Sequence, residues 1–419
     1  MTVKPEWTTQ PVGDLRAKTK HALTGGPFGS NLVSRDYTDE GVPIIRGCNL
    51  PDNASFTFDD LVFVSEKKAD ALRPNNAFPG DLIFTQRGTL GQVGLIPKNS
   101  PFKRFVISQS QMKLAVDPDK ADARYLYNYF RLPSTVEAIQ GLAISSGVPH
   151  INLDILRKFQ VITPPVCIQQ KIAAILSAYD ELIENNQQRI ALLENMSEEI
   201  YREWFVRLRF PGHEKVKKVK GVPDGWRDQK FGQFCQLQRG YDLTDANVEP
   251  GPYPVIASTS IKAYHNQYKV EPPVITTGRS GSLGEVLFVY TRAWPHNTAL
   301  YVKQFFGNSA FLIYYTLKNM RLENFNAGAG VPTLNRNHLN GIPIIVPNGE
   351  LQNRFDDVVS KFHTQAELLR KLSENLIATR DRLLPRLISG KLSVENLDIQ
   401  FPPGMAEELN AENTETAHA

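Results

Sequence analysis

The chain is expected to be an α+β protein built from two strand-rich globular parts and two long helices that pair with each other. Three observations lead there. A single shift of 183 residues superimposes two distant stretches, a heptad seam runs through each of two long segments, and the segment before each seam consists of short apolar runs broken by turn residues.

The repeat is read first. "SSGVPHINLD" begins at Ser145 and "GAGVPTLNRN" at Gly328. The same shift carries Gly147, Val148, Pro149, Asn152, Leu156, Pro164 and Gln169 onto Gly330, Val331, Pro332, Asn335, Leu339, Pro347 and Gln352 without a gap. A period near half the chain length implies two related units rather than a stack of many short ones.

The long segments follow each copy. From Val166 to about Arg207 there is no Gly and no Pro, and large or apolar residues fall at Ile168, Ile172, Ile175, Tyr179, Leu182, Leu193, Met196 and Ile200, with Asn186 and Arg189 as polar members. Steps of three and four define an amphipathic helix with a coiled-coil seam. The second copy reads Leu351, Phe355, Val358, Phe362, Leu369, Leu372, Leu376 and Leu383, with Gln365 and Thr379 polar. Some forty helical residues make a rod of roughly 60 Å, and two rods of equal phase in one chain suit each other. Asn186 in such a seam can fix register at a cost in stability.

The preceding parts read as strands joined by tight turns, as in "GDLIFTQRGTLGQVGLIP" from Gly80 and "PPVITTGRSGSLGEVLFVY" from Pro272. Arg87 to Gly91 matches Ser280 to Gly284 at a shift of 193, and Trp7 corresponds to Trp226, so the globular parts have diverged in length while the rods have not. The resulting division is a globular part at 1–165, a helix at 166–207, a linker at 208–225 that carries Lys215, Lys217, Lys218 and Lys220, a second globular part at 226–347, a helix at 348–388 and a tail at 389–419. The acidic end of the tail is expected to be disordered.

Composition narrows the function. With 41% hydrophobic and 22% charged residues the chain is an ordinary globular protein. No signal-peptide core and no stretch of about 18 uninterrupted apolar residues is present, so a cytoplasmic, membrane-free location is expected. Cys48, Cys167 and Cys235 are too few and too scattered for a disulfide framework or a thiolate metal cluster, and are read as small core residues. A formal charge of +3 permits nucleic-acid binding without demanding it.

The order of strand-rich part, long helix, second strand-rich part and second long helix, with Gly-Val-Pro-x-x-Asn before each helix, resembles the specificity subunit of Type I restriction-modification enzymes. The resemblance runs from Trp7 to about Leu397 and includes the exits "WFVRLRFPG" and "RLLPRLISGKL". It implies two target recognition domains, each reading half of a divided double-stranded DNA site, with the helices pairing antiparallel as a spacer and relating the domains by a pseudo-two-fold axis. It implies assembly with two modification subunits that methylate adenine from S-adenosylmethionine, and with restriction subunits that translocate and cut DNA using ATP and Mg²⁺. No cofactor is expected in this chain. Half-sites about one turn of DNA apart, roughly 34 Å, call for two readers at a fixed distance. Gly-Val-Pro-x-x-Asn would then be the joint between reader and spacer, stiffened by Pro149 and Pro332 and bridged or capped by Asn152 and Asn335.

Catalytic signatures are missing. "TPPV" at Thr163 and "EPPV" at Glu271 lack both the amide or acid and the aromatic that adenine methyltransferases use, and "SGKLS" at Ser389 lacks the upstream glycine of a phosphate-binding loop. Direct DNA readout relies on Arg, Gln and Asn. The candidates are Arg46, Gln86, Arg87, Lys103, Arg104, Gln109 and Gln111 in the first part, and Arg239, Tyr241, Lys262, Arg279, His296 and Asn297 in the second. The turns at Gly88 to Gly91 and Gly281 to Gly284 can offer backbone amides to phosphate or simply close hairpins. The alternatives are a DNA-modifying enzyme with an unfamiliar site and a coiled-coil adaptor for proteins only.

Overall fold

The computed structural model describes residues 7–144, 148–328 and 330–406. Gly147 of the first repeated motif and tail residues 407–419, expected to be disordered, lie outside the described residues. Contacts divide the chain into one unit of residues 1–187 with 371–419 and another of residues 188–370. Each long helix is therefore shared by both units.

In the first unit, a four-stranded antiparallel sheet runs in the order Leu23–Gly25, Gln111–Leu114, Leu82–Thr85, Val93–Leu95. Beside it lies a five-stranded sheet in which Val42–Ile45 pairs in parallel with Phe105–Ile107. Strands such as "LIFT" and "QMKL" are buried throughout, the second despite its alternating polar residues, with Lys113 paired to the buried Asp81 at 3.5 Å. The aromatic helix Ala123–Phe130 packs on them and starts from Asp122, whose side chain accepts the Tyr125 N–H at 2.9 Å.

The second unit repeats this plan. Its four-stranded sheet runs Gln236–Arg239, Ala299–Gln304, Val274–Gly278, Val286–Val289, and its smaller sheet pairs Tyr253–Ile256 in parallel with Trp294–Pro295. The aromatic helix here is Ala310–Asn319, capped by Ser309.

Each unit closes with the strand that leads into its helix. Thr8–Pro11, directly after Trp7, pairs with Gln160–Thr163, and Arg227–Lys230, directly after Trp226, pairs with Pro343–Val346. The long helices then begin at Val166 and Gly349 and run to Tyr201 and Ile388. A π-helical turn at Arg202–Val206 ends the first, where Phe205 meets Phe355 edge-on with ring centroids 4.9 Å apart.

Within each unit the helix segments run antiparallel. In the first, Lys171 Nζ donates to the carbonyls of Glu395 and Leu397 at 2.8 Å, and Asp180 pairs with Arg380 at 2.6 Å. In the second, Glu194 pairs with Arg370 and Tyr201 meets Phe355. Among the expected seam residues, Ile172, Asn186, Phe355 and Leu369 are buried, and Tyr179, Leu193, Phe362 and Leu376 are half-buried. The intervening members shift by one residue. Leu182 is 53% exposed and Leu372 and Met196 are 48% exposed, whereas Ile183, Ser373 and Ser197 are buried. Leu176 lies deeper than Ile175, and Val359 deeper than Val358. Buried Ala366 and Arg380 likewise replace the exposed Gln365 and Thr379. A heptad fixes a period of 3.5, but the i+3 and i+4 neighbours both satisfy it, and the side on which the partner lies decides between them.

The joint between sheet and helix is a buried glutamine in each unit. Gln169 Oε1 accepts the Asp122 N–H at 3.0 Å while its Nε2 donates to the Pro164 carbonyl at 2.8 Å. Gln352 Oε1 accepts the Ser309 N–H at 2.8 Å and its Nε2 donates to the Pro347 carbonyl at 3.0 Å. One amide thus ties the start of the aromatic helix to the start of the long helix. Gly-Val-Pro-x-x-Asn lies upstream of this joint. Its asparagines cap the short helices Leu153–Lys158 and Arg336–Asn340, accepting from the Ile155 N–H at 2.9 Å and the Asn337 N–H at 3.0 Å. Of the cysteines only Cys235 is core; Cys48 and Cys167 are exposed.

Candidate nucleic-acid interface

Five segments converge at one end of the four-stranded sheet in each unit, held by matching backbone hydrogen bonds. In the first unit Gly26 N–H donates to Gln111, Gln86 and Arg87 N–H to Ser110, Ser108 N–H to Ile45, and Ile151 N–H to Gln86. In the second, Gly240 donates to Ala299, Arg279 and Ser280 to Thr298, His296 to Ile256, and Leu334 to Arg279. The repeated Gly-Val-Pro segment is therefore a clasp: Arg87 bridges His150, Ser280 bridges Thr333, and Gly281 N–H reaches the Pro332 carbonyl at 3.0 Å. Gly88, Gly91, Gly281 and Gly284 all have φ between 94° and 101°, a conformation that favours glycine and lets both turns fold sharply under the clasp.

A scaffold repeated this closely positions side chains that differ between the units. In the first, Arg87 is exposed and makes no ion pair among the described residues, and Gln86 is half-exposed. Lys103, also exposed, precedes the strand Phe105–Ile107 and so lies at the end of that strand opposite Ser108, away from the edge. Arg46 lies on the same edge with its guanidinium bonded to the Asp60 carbonyl.

Three expected contacts are otherwise engaged. Gln111 is 1% exposed within a central strand and cannot reach a ligand. Arg104 pairs with Asp70 at 2.6 Å and with Glu66, and the Asp70 hydrogen bond holds its pKa above the ordinary value. The Gln109 amide nitrogen donates to the carbonyls of Gly29 and Leu32, and so fastens a loop. From sequence, a strand glutamine and a loop glutamine look alike; burial and partners separate them.

In the second unit, Arg239 and Asn297 both donate to Asp242, whose carboxyl they hold below the usual range, the Asn297 bond contributing most. Arg279 is fastened to the Asn297 carbonyl at 3.2 Å. These four residues form one polar network on the loop edge. Lys262 pairs with Asp245. Tyr241 stacks on Tyr301 and shares a 2.9 Å hydroxyl contact with it. His296 is buried, its ring nitrogens against Thr298 Oγ1 and the Leu243 carbonyl at 3.1 Å, so it supports the edge from beneath. Lys269, which the sequence reading omitted, sits over the Trp294 ring at 4.6 Å. Phe28 and Asp242 were also missed; only "GGPFGSN", a phenylalanine set among glycines, signals the former.

Among the described residues no group of three or more His, Cys, Asp or Glu could hold a metal ion, and no helix is long and apolar enough to cross a membrane.

The fold is one plan built twice, each copy carrying the same loop edge. The family model described as Type I restriction modification DNA specificity domain matches residues 37–195 and again 223–377. The chain belongs to this family. It is 24% identical over 351 residues to the Type I restriction enzyme MjaIX specificity subunit of Methanocaldococcus jannaschii, covering 76% of this chain and 79% of the relative. It is 23% identical to the MjaVIII specificity subunit of the same organism, covering 71% and 76%. The crystal structure of the Type-I restriction-modification system S subunit from M. genitalium shares the fold, with a TM-score of 0.56 at 19% identity over 92% of this chain and 96% of that one. As a specificity subunit the chain is a non-catalytic DNA-recognition component.

Proposed function

We propose that each unit reads one half of a divided double-stranded DNA target through its five-segment edge, and that the paired long helices set the gap between the halves. The recognition domains correspond to residues 1–165 and 226–347, the spacer helices to 166–207 and 348–388. The carrying observation is that five backbone hydrogen bonds recur in both units while the side chains they position differ. A common frame with unlike side chains suits one duplex read at two different sequences. Arg87, Arg46 and Gln86 serve the first half-site, and Arg239, Arg279 and Asn297 the second, with cationic groups on phosphate and amide or guanidinium groups on base edges.

The helix pair also docks two modification subunits, and restriction subunits complete the assembly in the cytoplasm. S-adenosylmethionine, ATP and Mg²⁺ belong to those partners, which supply adenine methylation and ATP-driven cleavage. Sequencing the methylated adenines made by the reconstituted modification complex tests the proposal: one bipartite motif with a fixed unspecified gap is expected, and a contiguous motif would contradict it. The purified chain alone, given DNA, Mg²⁺, ATP and S-adenosylmethionine, should turn over nothing.

A further inference from the structure

Phe28 is the most open of the large apolar side chains among the described residues, 90% exposed, with Val219 next at 64%. It is presented on a fixed support. Gly26, two residues before it, lies so close to the 108–109 backbone that an added Cβ would stand 2.0 Å from the Ser108 carbonyl oxygen. After it, Asn31 N–H closes a turn on the Phe28 carbonyl at 3.2 Å, and Gln109 Nε2 donates to the Leu32 carbonyl at 2.7 Å. The loop is thus fastened on both sides to the 108–111 turn, which also holds Gln86 and Arg87.

We infer that Phe28 is a specificity-determining residue that enters a groove of the duplex and makes apolar contact with a base step of the first half-site. Bases offer the matching chemistry in the thymine methyl group and in the face of a partly unstacked step. The inference rests on the DNA-reading function proposed above.

Comparison of the units separates this from a protein-docking role. Gly240 occupies the place of Gly26, since an added Cβ there would stand 2.2 Å from the His296 carbonyl oxygen and its N–H meets the equivalent strand. Two residues beyond Gly240 stands Asp242, held by Arg239 and Asn297. A partner present in two identical copies would rely on what the units share. The phenylalanine is found in one unit alone, as a reader of one particular sequence requires.

The test compares complexes reconstituted with the modification subunits and carrying wild-type chain, Phe28→Ala or Phe28→Leu. The alanine variant should lower discrimination at one position of one half-site about tenfold, with leucine in between. The other half-site, the thermal midpoint and the salt dependence of DNA affinity should stay unchanged, because neither packing nor charge is altered. An unaltered motif with unaltered stringency in the alanine variant overturns the inference. So does loss of assembly with the modification subunits while DNA preference is retained. If the wild-type complex yields no bipartite motif, the underlying reading of function fails first.

Discussion

The backbone N–H of Leu334 donates to the carbonyl of Arg279 at 2.8 Å, as that of Ile151 does to Gln86 at 3.0 Å. Each bond joins a repeated Gly-Val-Pro segment to a glycine turn, and the asparagine that follows caps a helix. Asn152→Ala and Asn335→Ala should each lower stability by about 1 kcal/mol in chemical denaturation. Each should also relax only the half-site of its own unit in methylation sequencing.

Gln169 and Gln352 are 0% and 3% exposed and satisfy both a helix-start N–H and a proline carbonyl. Replacing either with leucine leaves two backbone groups without partners, a loss of roughly 1–3 kcal/mol for each. Substitution of the exposed neighbour Asn353 should leave the denaturation midpoint where it is.

Arg380 is buried in the helix seam against Asp180, with Asp381 beside it. Arg380→Ala should cost on the order of 1–2 kcal/mol, since a buried ion pair is lost while Asp180 keeps Arg131 at 3.6 Å. The double variant Arg380→Met with Asp180→Leu should recover little of that loss, since taking away Asp180 also removes the carboxylate that pairs with the largely buried Arg131. A double-mutant cycle in urea measures both values.

His363, on the second long helix, lies between the hydroxyls of Tyr290 and Tyr315, the latter at 2.7 Å. Burial, then the nearby Arg370 and Lys318 charges, push its pKa down to about 4. The folded state therefore binds the proton less readily than the unfolded chain, whose histidine titrates near 6.5. The penalty is absent above that pH and grows as pH falls toward 4, reaching at most about 3 kcal/mol. Thermal midpoints of wild type and His363→Gln recorded between pH 7.5 and pH 4 should diverge in this window, the wild type falling faster.

Arg87 and Arg104 were equal candidates in the sequence and are unequal in the structure. Arg87→Ala should weaken DNA binding and, if the contact is to phosphate, reduce the salt slope by about 1 without changing stability. Arg104→Ala, whose charge is already matched by Asp70 and Glu66, should leave DNA affinity close to wild type in the same titration.

Much of the fold was legible because it is written twice. The two rods and the recurrence of Pro164 and Gln169 as Pro347 and Gln352 follow from one shift of 183, and the strand-rich parts before them from a second of 193. The helix face was harder to read. Leu182 and Leu372 fit a heptad as well as Ile183 and Ser373 do, and only the partner's position places serine inward and leucine outward. The candidate site was legible as a set of loops but not as side chains, because Gln109 and Arg104 are engaged by groups far away in sequence and Gln111 and His296 are buried. Phe28 carries no signal in the sequence beyond its setting among glycines, because direct readout is carried chiefly by polar residue types and its 90% exposure belongs to the folded loop.

Insertion of one heptad into each long helix, at facing seam positions, measures most directly whether the helix pair sets the gap. About 10 Å of added rod corresponds to about 3 base pairs of duplex, so the methylated motif should keep both half-sites and gain about that many unspecified positions. An unchanged gap in a folded, active complex would contradict the account.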